Sequence, residues 1–346
     1  MPNAASPIIG PPVKIRCLKT LWIKLKVLFK MRTPTYWKNK NIISSLLLPL
    51  GWLYGLATAL RLALTKPQKV KAKVICIGNI TAGGTGKTPV SVAIAALLKQ
   101  NGLNPWFVTR GYGGTRQDVI VNPAEHAAAE VGDEPLLLAR EASVVVNKQR
   151  WLGAQKAIAN GADCIIMDDG FQNPALHKDL SFIVIDGAVG FGNRCCIPSG
   201  PLREFLSAGL KRADAAIIIG QDKTNLSGLL KDLPVFHGSI TPVEPLRDNL
   251  NVIAFAGIGR PQKFYRSLQE LGFNLIKTVD FPDHHFYTEG ELKQLISEAE
   301  EKQAVLYTTA KDYVKIPAAL RNRFRVLEIT ITWREPELLT QFLLNA

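Results

Sequence analysis

The segment Gly83-Gly84-Thr85-Gly86-Lys87-Thr88 joins three glycines to a lysine and a hydroxyl, an order suited to holding phosphate. In such a loop the backbone N–H groups wrap phosphate oxygens, an approach that a Cβ at the glycines would block. Lys87 would neutralise the β and γ oxygens of a bound ATP, and the Thr88 hydroxyl would reach Mg²⁺. The strict pattern has a glycine five residues before Gly86, where this chain has Thr81. A second constellation ends the apolar run at residues 164–167 with Asp168, Asp169 and Gly170, where phosphate-loop enzymes hold the magnesium shell. Three further loops carry chemistry. In "TRGYGG", Arg110 could clamp a phosphate with its guanidinium fork. In "PSGPLRE", Arg203 and Glu204 suit a polar or anionic substrate group, or equally a surface turn. In "GDEP", Asp133 stands before Pro135, and the residues by themselves slightly favour a helix cap over a catalytic acid. Asp283, His284 and His285 adjoin in "DFPDHHFY", but two histidines without a third ligand are weak grounds for a metal.

Elements must bring these loops to one edge. Apolar runs predict strands at residues 74–77, 106–109, 144–146, 164–167, 182–185 and 215–219, and residues 89–100 have helical periodicity ended by Asn101 and Gly102. Strands alternating with helices imply an α/β fold, a P-loop nucleoside-triphosphate-hydrolase-like parallel sheet with its site at the carboxyl edge. That domain is expected over residues 69–225. Pro234, Pro242 and Pro245 mark an extended linker over 226–248, and a smaller α/β domain over 249–346 could close on the first.

Charge sets the front end apart. Residues 1–117 contain no Asp or Glu and eighteen Lys or Arg, whereas residues 74–346 carry 28 basic and 29 acidic side chains. Residues 1–68 therefore read as a membrane-associating segment. Within it, residues 13–30 predict a basic amphipathic helix with Leu18, Leu21, Trp22, Leu25, Leu28 and Phe29 on one face, unless they are an extension preceding a start at Met31. Residues 42–60 are nineteen uncharged positions, about the length that spans a bilayer, but Pro49 and Gly51 interrupt them and both flanks are basic. A monotopic or re-entrant anchor follows, on the side that has ATP. Long aliphatic runs between the basic residues point to an anionic membrane surface and away from nucleic acid. Five cysteines without a Cys-x-x-Cys pair fit a reduced body.

In order along the chain, "GNITAGGTGKTP", "TRGYGG", "GDEP", "DDGFQ", "GFGN", "PSGPLRE", "AGIGRP", "PDHHFY" and "TTAKD" closely resemble the tetraacyldisaccharide 4′-kinase family, over roughly residues 31–335. The resemblance implies ATP- and Mg²⁺-dependent phosphorylation of the 4′-hydroxyl of a lipid A disaccharide precursor. It also implies a monomer-like enzyme at the cytoplasmic face of the inner membrane, peripheral or monotopic. Carried over, Lys87, Thr88 and Arg110 act on the nucleotide, and Asp168 and Asp169 on the metal. Gln172, Arg203 and Glu204 fall on the substrate side. An Asp–His dyad maps to Asp133 and His284, which reverses the preference for a cap. The family often reads "DDGFQH", whereas this chain has Asn173. Rival readings fare worse. Membrane-associated ATPases of the cell-division type carry a lysine where Ala82 stands, and the base-reading motif of GTP switches lacks its spacer at Ala310–Asp312. A non-catalytic ATP-binding scaffold would leave the acids of "DD" and "GDEP" dispensable.

Overall fold

Valine- and isoleucine-rich runs with no polar alternation belong in strands covered on both faces. The computed structural model describes residues 34–243 and 249–345. Its strands in chain order are β1 (Lys73–Gly78), β2 (Pro105–Thr109), β3 (Val119–Ile120), β4 (Val144–Val146), β5 (Cys164–Asp168), β6 (Leu180–Asp186), β7 (Ala215–Ile219), β8 (Val235–Pro242), β9 (Asn251–Ala256), β10 (Asn274–Asp280), β11 (Val305–Thr309), β12 (Phe324–Leu327) and β13 (Ile329–Trp333). Nine of them form a mixed sheet ordered β13-β8-β7-β6-β1-β5-β2-β4-β3, antiparallel only at its two edge pairs. The other sheet, β10-β9-β11-β12, is parallel throughout.

Alternation along the central strands sends side chains to two cores. Ile75, Ile77, Phe107, Ile166 and Phe182 meet Val90, Ile94 and Leu98 of the helix Lys87–Gln100. Cys76, Ile165, Met167 and Ile183 face Ala154 and Ala157 of the helix Arg150–Ala159. Each large apolar side chain so buried contributes about 1.5–3 kcal/mol. The six expected strands are all present. The register of β1 with β5 pairs Ile77 with Asp168, so the phosphate loop and the acids leave the sheet side by side.

Domain limits depart from the sequence reading. The expected linker 226–248 holds β8, which pairs in parallel with β7; residues 244–248 lie outside the described residues. The expected domain 249–346 is not self-contained either. Its β13 pairs with β8, and Leu339 and Leu343 of the helix Pro336–Asn345 enter the core beneath the large sheet. The reason lies in β7, whose five residues are all buried and would otherwise present an unpaired apolar edge.

The apolar stretch at residues 42–60 forms two helices, Ile42–Leu46 and Leu48–Leu64, with Pro49 in the first turn of the second. Gly51 and Gly55 lie on its inner face. A Cβ on Gly51 would stand 2.8 Å from the Cys196 carbonyl oxygen, and one on Gly55 would stand 2.7 Å from the Phe205 ring. Leu46, Leu50, Trp52, Leu53, Leu56, Leu60 and Leu64 are each more than half exposed. Among the described residues no helix is long and apolar enough to cross a membrane. The amphipathic helix expected at 13–30 lies outside the described residues.

Candidate active site

The phosphate loop leaves β1 at the centre of the large sheet. Gly83 and Gly86 have φ of +114° and +89°, which only glycine adopts without strain, and a Cβ on Gly83 or Gly84 would meet open space. The helix Lys87–Gln100 begins directly after Gly86, with no side-chain cap and no acid in its first turn, so its N-terminal N–H groups favour an anion. Asn79 fixes the loop by donating to Thr85 Oγ1 at 3.1 Å. Thr81, which stands where the strict pattern has glycine, makes a bridge with Leu202; the Ala82 and Arg203 amides donate to Pro201 and Ile80 oxygens, both at 2.7 Å. The "PSGPLRE" loop is therefore stitched to the phosphate loop at the position where the strict pattern has glycine.

Asp168 is buried and accepts from Thr88 Oγ1 at 3.0 Å and from Ser91 Oγ at 2.8 Å. Burial, with the Glu134 carboxylate and then Asp169 adding to it, pushes the Asp168 carboxyl up from its ordinary value. A buried carboxylate held at that cost beside a threonine hydroxyl fits Mg²⁺, which takes hard oxygens from one or two protein groups and the rest from phosphates and water. No cluster of three or more His, Cys, Asp or Glu side chains able to hold a metal occurs among the described residues. Asp169, in the left-handed region at φ +50°, lies 3.6 Å from Lys87 Nζ and 2.8 Å from Arg203 Nη1. Burial raises its carboxyl, but Lys87 and Arg203 outweigh this and hold it below the usual range.

Behind Asp169, Gln172 Nε2 donates to the Asn79 carbonyl at 2.7 Å and to Glu204 Oε1 at 2.9 Å. The other oxygen of Glu204 pairs with Arg212, which lies over the Phe171 ring. Both Glu204 oxygens are thus engaged and its side chain is 2% exposed, so it braces Gln172 rather than facing solvent. Arg110 follows β2 at the same edge with its side chain exposed.

The second sheet adds an imidazole. His284, at φ +60°, donates its amide to the Gly257 carbonyl at 3.1 Å, and its Nδ1 lies 2.9 Å from Asp133 Oδ2. Asp133 is 4% exposed and begins the helix Asp133–Leu138, accepting from the Glu134 amide at 2.9 Å. Burial acts to raise its carboxyl, but the His284 hydrogen bond and Lys311 prevail and hold it below 3.8. The N-cap is Gly132, not Asp133, and a Cβ there would stand 2.7 Å from the Tyr112 carbonyl oxygen. Tyr112 of "TRGYGG" sets its ring 5.3 Å from that of His284. His285 turns away, to Glu291 at 3.1 Å and a stack on Phe281 at 4.9 Å.

The structure thus gathers Lys87, Asp169, Arg203 and Gln172 in one connected network, with Thr88, Ser91 and Asp168 in a second group at the adjoining residues, and Asp133 with His284 in a third. Sequence reasoning missed Ser91, Glu134, Arg150 and Lys311. Arg150 is 5% exposed; burial pushes its guanidinium down to about 10, while Asp168 and Asp169 pull it back up. A lone arginine in "NKQRW" gives no signal of this, because its partners are distant in the chain.

Comparison with known proteins agrees with these features. The family model described as LpxK, tetraacyldisaccharide-1-P 4′-kinase, matches residues 43–346. A tetraacyldisaccharide 4′-kinase of Paramagnetospirillum magneticum is 46% identical over 315 residues, covering 90% of this chain and 97% of that protein. One from Gluconacetobacter diazotrophicus is also 46% identical, covering 88% and 95%. Among solved structures, LpxK from Aquifex aeolicus in complex with ATP superposes with a TM-score of 0.72 at 27% identity, covering 88% of this chain and 99% of that one. With the phosphate loop, the acids of β5 and matches over nearly its whole described length, the chain belongs to the tetraacyldisaccharide 4′-kinase family.

Proposed function

We propose that this kinase transfers the γ-phosphoryl group of ATP to the 4′-hydroxyl of its tetraacyldisaccharide 1-phosphate substrate, with Asp133 accepting the hydroxyl proton. The observation that carries the reading is the 2.9 Å contact between His284 Nδ1 and Asp133 Oδ2, which joins a loop of the second sheet to the large sheet. The ATP complex of the Aquifex aeolicus relative and the open glycines of the phosphate loop support the nucleotide. Thr88 and Asp168 would hold Mg²⁺, with Asp169 within reach; the ion supplies screening of phosphate charge that otherwise repels an oxygen nucleophile.

Lys87 neutralises phosphate oxygens, and Asp169 keeps that ammonium and Arg203 oriented through its ion pairs. Arg110 is free to fork onto a phosphate from the neighbouring strand end. Asp133, held ionised, needs only modest basicity, because phosphoryl transfer has a loose transition state in which positioning dominates. His284 orients that carboxylate. Gln172 and Arg203 border the acceptor side, with Glu204 as their brace.

The exposed leucines and Trp52 on the helices at residues 42–64 support a peripheral or monotopic seat at the cytoplasmic face of the inner membrane. Trp37 Nε1 donates to the Pro198 carbonyl at 3.0 Å and Ser199 Oγ to the Ser44 carbonyl at 2.7 Å, so that apolar seat is fastened to the loop that carries Arg203. A glycolipid headgroup leaving the membrane there would emerge beside the loop that carries Arg203.

The test follows labelled γ-phosphate from ATP into the disaccharide while Mg²⁺ is titrated. The wild-type protein should label the 4′ position in a Mg²⁺-dependent way, and Asp168→Asn should lower kcat and raise the Mg²⁺ requirement. Label elsewhere would overturn the reaction, and an unchanged Mg²⁺ titration in Asp168→Asn would remove that acid from the metal's shell.

A further inference from the structure

The "GFGN" turn has no part in the account above, yet it builds one side of a cavity beside the apolar helices. Gly190 and Gly192 stand at φ +57° and +55°, and a Cβ on Gly192 would lie 2.5 Å from the Trp37 carbonyl oxygen. A side chain there would keep the turn from lying so close. Asn193 locks the approach, donating its amide to that oxygen at 2.8 Å and its side chain to the Tyr36 carbonyl at 3.0 Å. Lys38 and Arg194 are thereby brought to one cavity of about 200 Å³. The buried Phe191 and Leu226 and the half-buried Leu229 give it an apolar wall, and no acid lines it. We propose that this cavity binds the phosphate diester headgroup of an anionic glycerophospholipid, as a lipid site separate from the one that takes the sugar acceptor. This rests on the membrane seat proposed above.

Charge, lining and place each support that occupant. Lys38 and Arg194 are exposed, and among the described residues neither side chain has a hydrogen bond or an ion pair. At the catalytic edge, by contrast, Lys87 and Arg203 pair with Asp169, and Arg212 pairs with Glu204. Two unpaired cations on an acid-free hollow attract an anion, and a guanidinium grips phosphate oxygens with two parallel donors. An inorganic ion has no use for the apolar wall, whereas the glycerol carbons of a headgroup do. Three residues beyond Asn39, which also lines the cavity, the helix Ile42–Leu46 begins. Its Ile42, Ile43 and Leu46 are 79%, 53% and 76% exposed, so acyl chains leaving the cavity would join the apolar layer that takes these side chains. The cavity shares no lining residue with the phosphate loop or with Gln172, Arg203 and Glu204. It therefore serves attachment and orientation, not phosphoryl transfer.

The experiment titrates full-length protein in non-ionic detergent with dihexanoyl phosphatidylglycerol, and with dihexanoyl phosphatidylcholine as the headgroup control, by calorimetry. ATP is present throughout to occupy the phosphate loop. The wild-type protein should bind the phosphatidylglycerol saturably and in preference to the phosphatidylcholine. Arg194→Gln and Lys38→Gln should each weaken that binding about five-fold or more, the effect of one basic residue at an anionic surface. Leu229→Trp keeps both cations but fills the cavity, and should weaken it at least as much. Binding by a folded Leu229→Trp that matches wild type would mean that surface charge alone is read, and would overturn the cavity. An undiminished preference in the doubly substituted Lys38→Gln, Arg194→Gln protein would overturn it as well. Inorganic phosphate that displaces the lipid at equal concentration would make this a free-anion site. A disaccharide KM that rises in Arg194→Gln as much as lipid binding falls would give the cavity to the substrate's own phosphate; either result overturns the lipid assignment. Failure of the membrane seat is separable: wild-type protein would then not sediment with phosphatidylcholine vesicles, whatever the headgroup titrations report.

Discussion

At Asp133, a carboxylate that ordinarily titrates near 3.8 is kept ionised in a buried setting by its contacts with His284 and Lys311. Its depressed value makes it a source of stability that is present above the unfolded value and lost as the pH falls through the lower folded one. Wild-type protein should therefore melt above Asp133→Asn at pH 7, and thermal melts should show the gap closing below about pH 4. A gap that is constant with pH would mean that the charge is not what stabilises the site. Lys87 makes the complementary prediction. Lys87→Ala should stay folded, losing some melting temperature with its Asp169 ion pair, and lose on the order of 10²–10³-fold in kcat, since one group that stabilises transition-state charge typically has that effect. Lys87, Thr88 and Asp168 were legible because a loop after one strand and acids after another are local patterns. Lys311 and Glu134 were not, because their meaning comes from loops that meet only in the fold, as with the 151 residues separating Asp133 from His284.

Among the elements, the helix Leu48–Leu64 is the one whose two faces divide most sharply. Gly51 and Gly55 let it lie against the Cys196 carbonyl and the Phe205 ring, and its leucines point outward. Gly55→Leu should push it off that seat. ATP binding should survive, while phosphorylation of lipid substrate falls several-fold and Trp52 fluorescence reports a changed setting; unaltered lipid turnover would mean that the seat does not orient the acceptor. The sequence break at Pro49 was legible because proline starts helices more readily than it continues them. The strand β8 was not. Pro234 and Pro242 bracket it so closely that they read as a linker, although prolines are tolerated where a strand begins and ends. Nor does any local pattern reveal that β13 and the last helix return to the first sheet, since that follows from the need to pair the edge of β8 and cover the phosphate-loop helix.

Across the whole molecule, charge and apolar surface are both concentrated ahead of the phosphate loop, with fourteen Lys or Arg and no acid in residues 1–73. Two terms should hold the membrane. Basic residues add about 1 kcal/mol each near an anionic surface and are screened by salt, whereas burial of the exposed leucines in the membrane would not be. Deleting residues 1–30 should leave an active enzyme that sediments with membranes even in high salt. Deleting residues 1–64 should leave a protein that binds ATP but phosphorylates lipid poorly. If the shorter deletion already frees the protein, the helices at residues 42–64 do not anchor it. The claim that unites these scales is that a phosphate loop on the large sheet holds the nucleotide while a histidine from the other sheet orients one ionised acid to activate the 4′-hydroxyl. Single-turnover transfer of labelled γ-phosphate to the tetraacyldisaccharide by Asp133→Asn, with ATP affinity measured alongside, tests it most directly. The account predicts near-normal ATP binding with transfer slowed by roughly 10²–10⁴-fold, the usual contribution of a general base; transfer at the wild-type rate would contradict it.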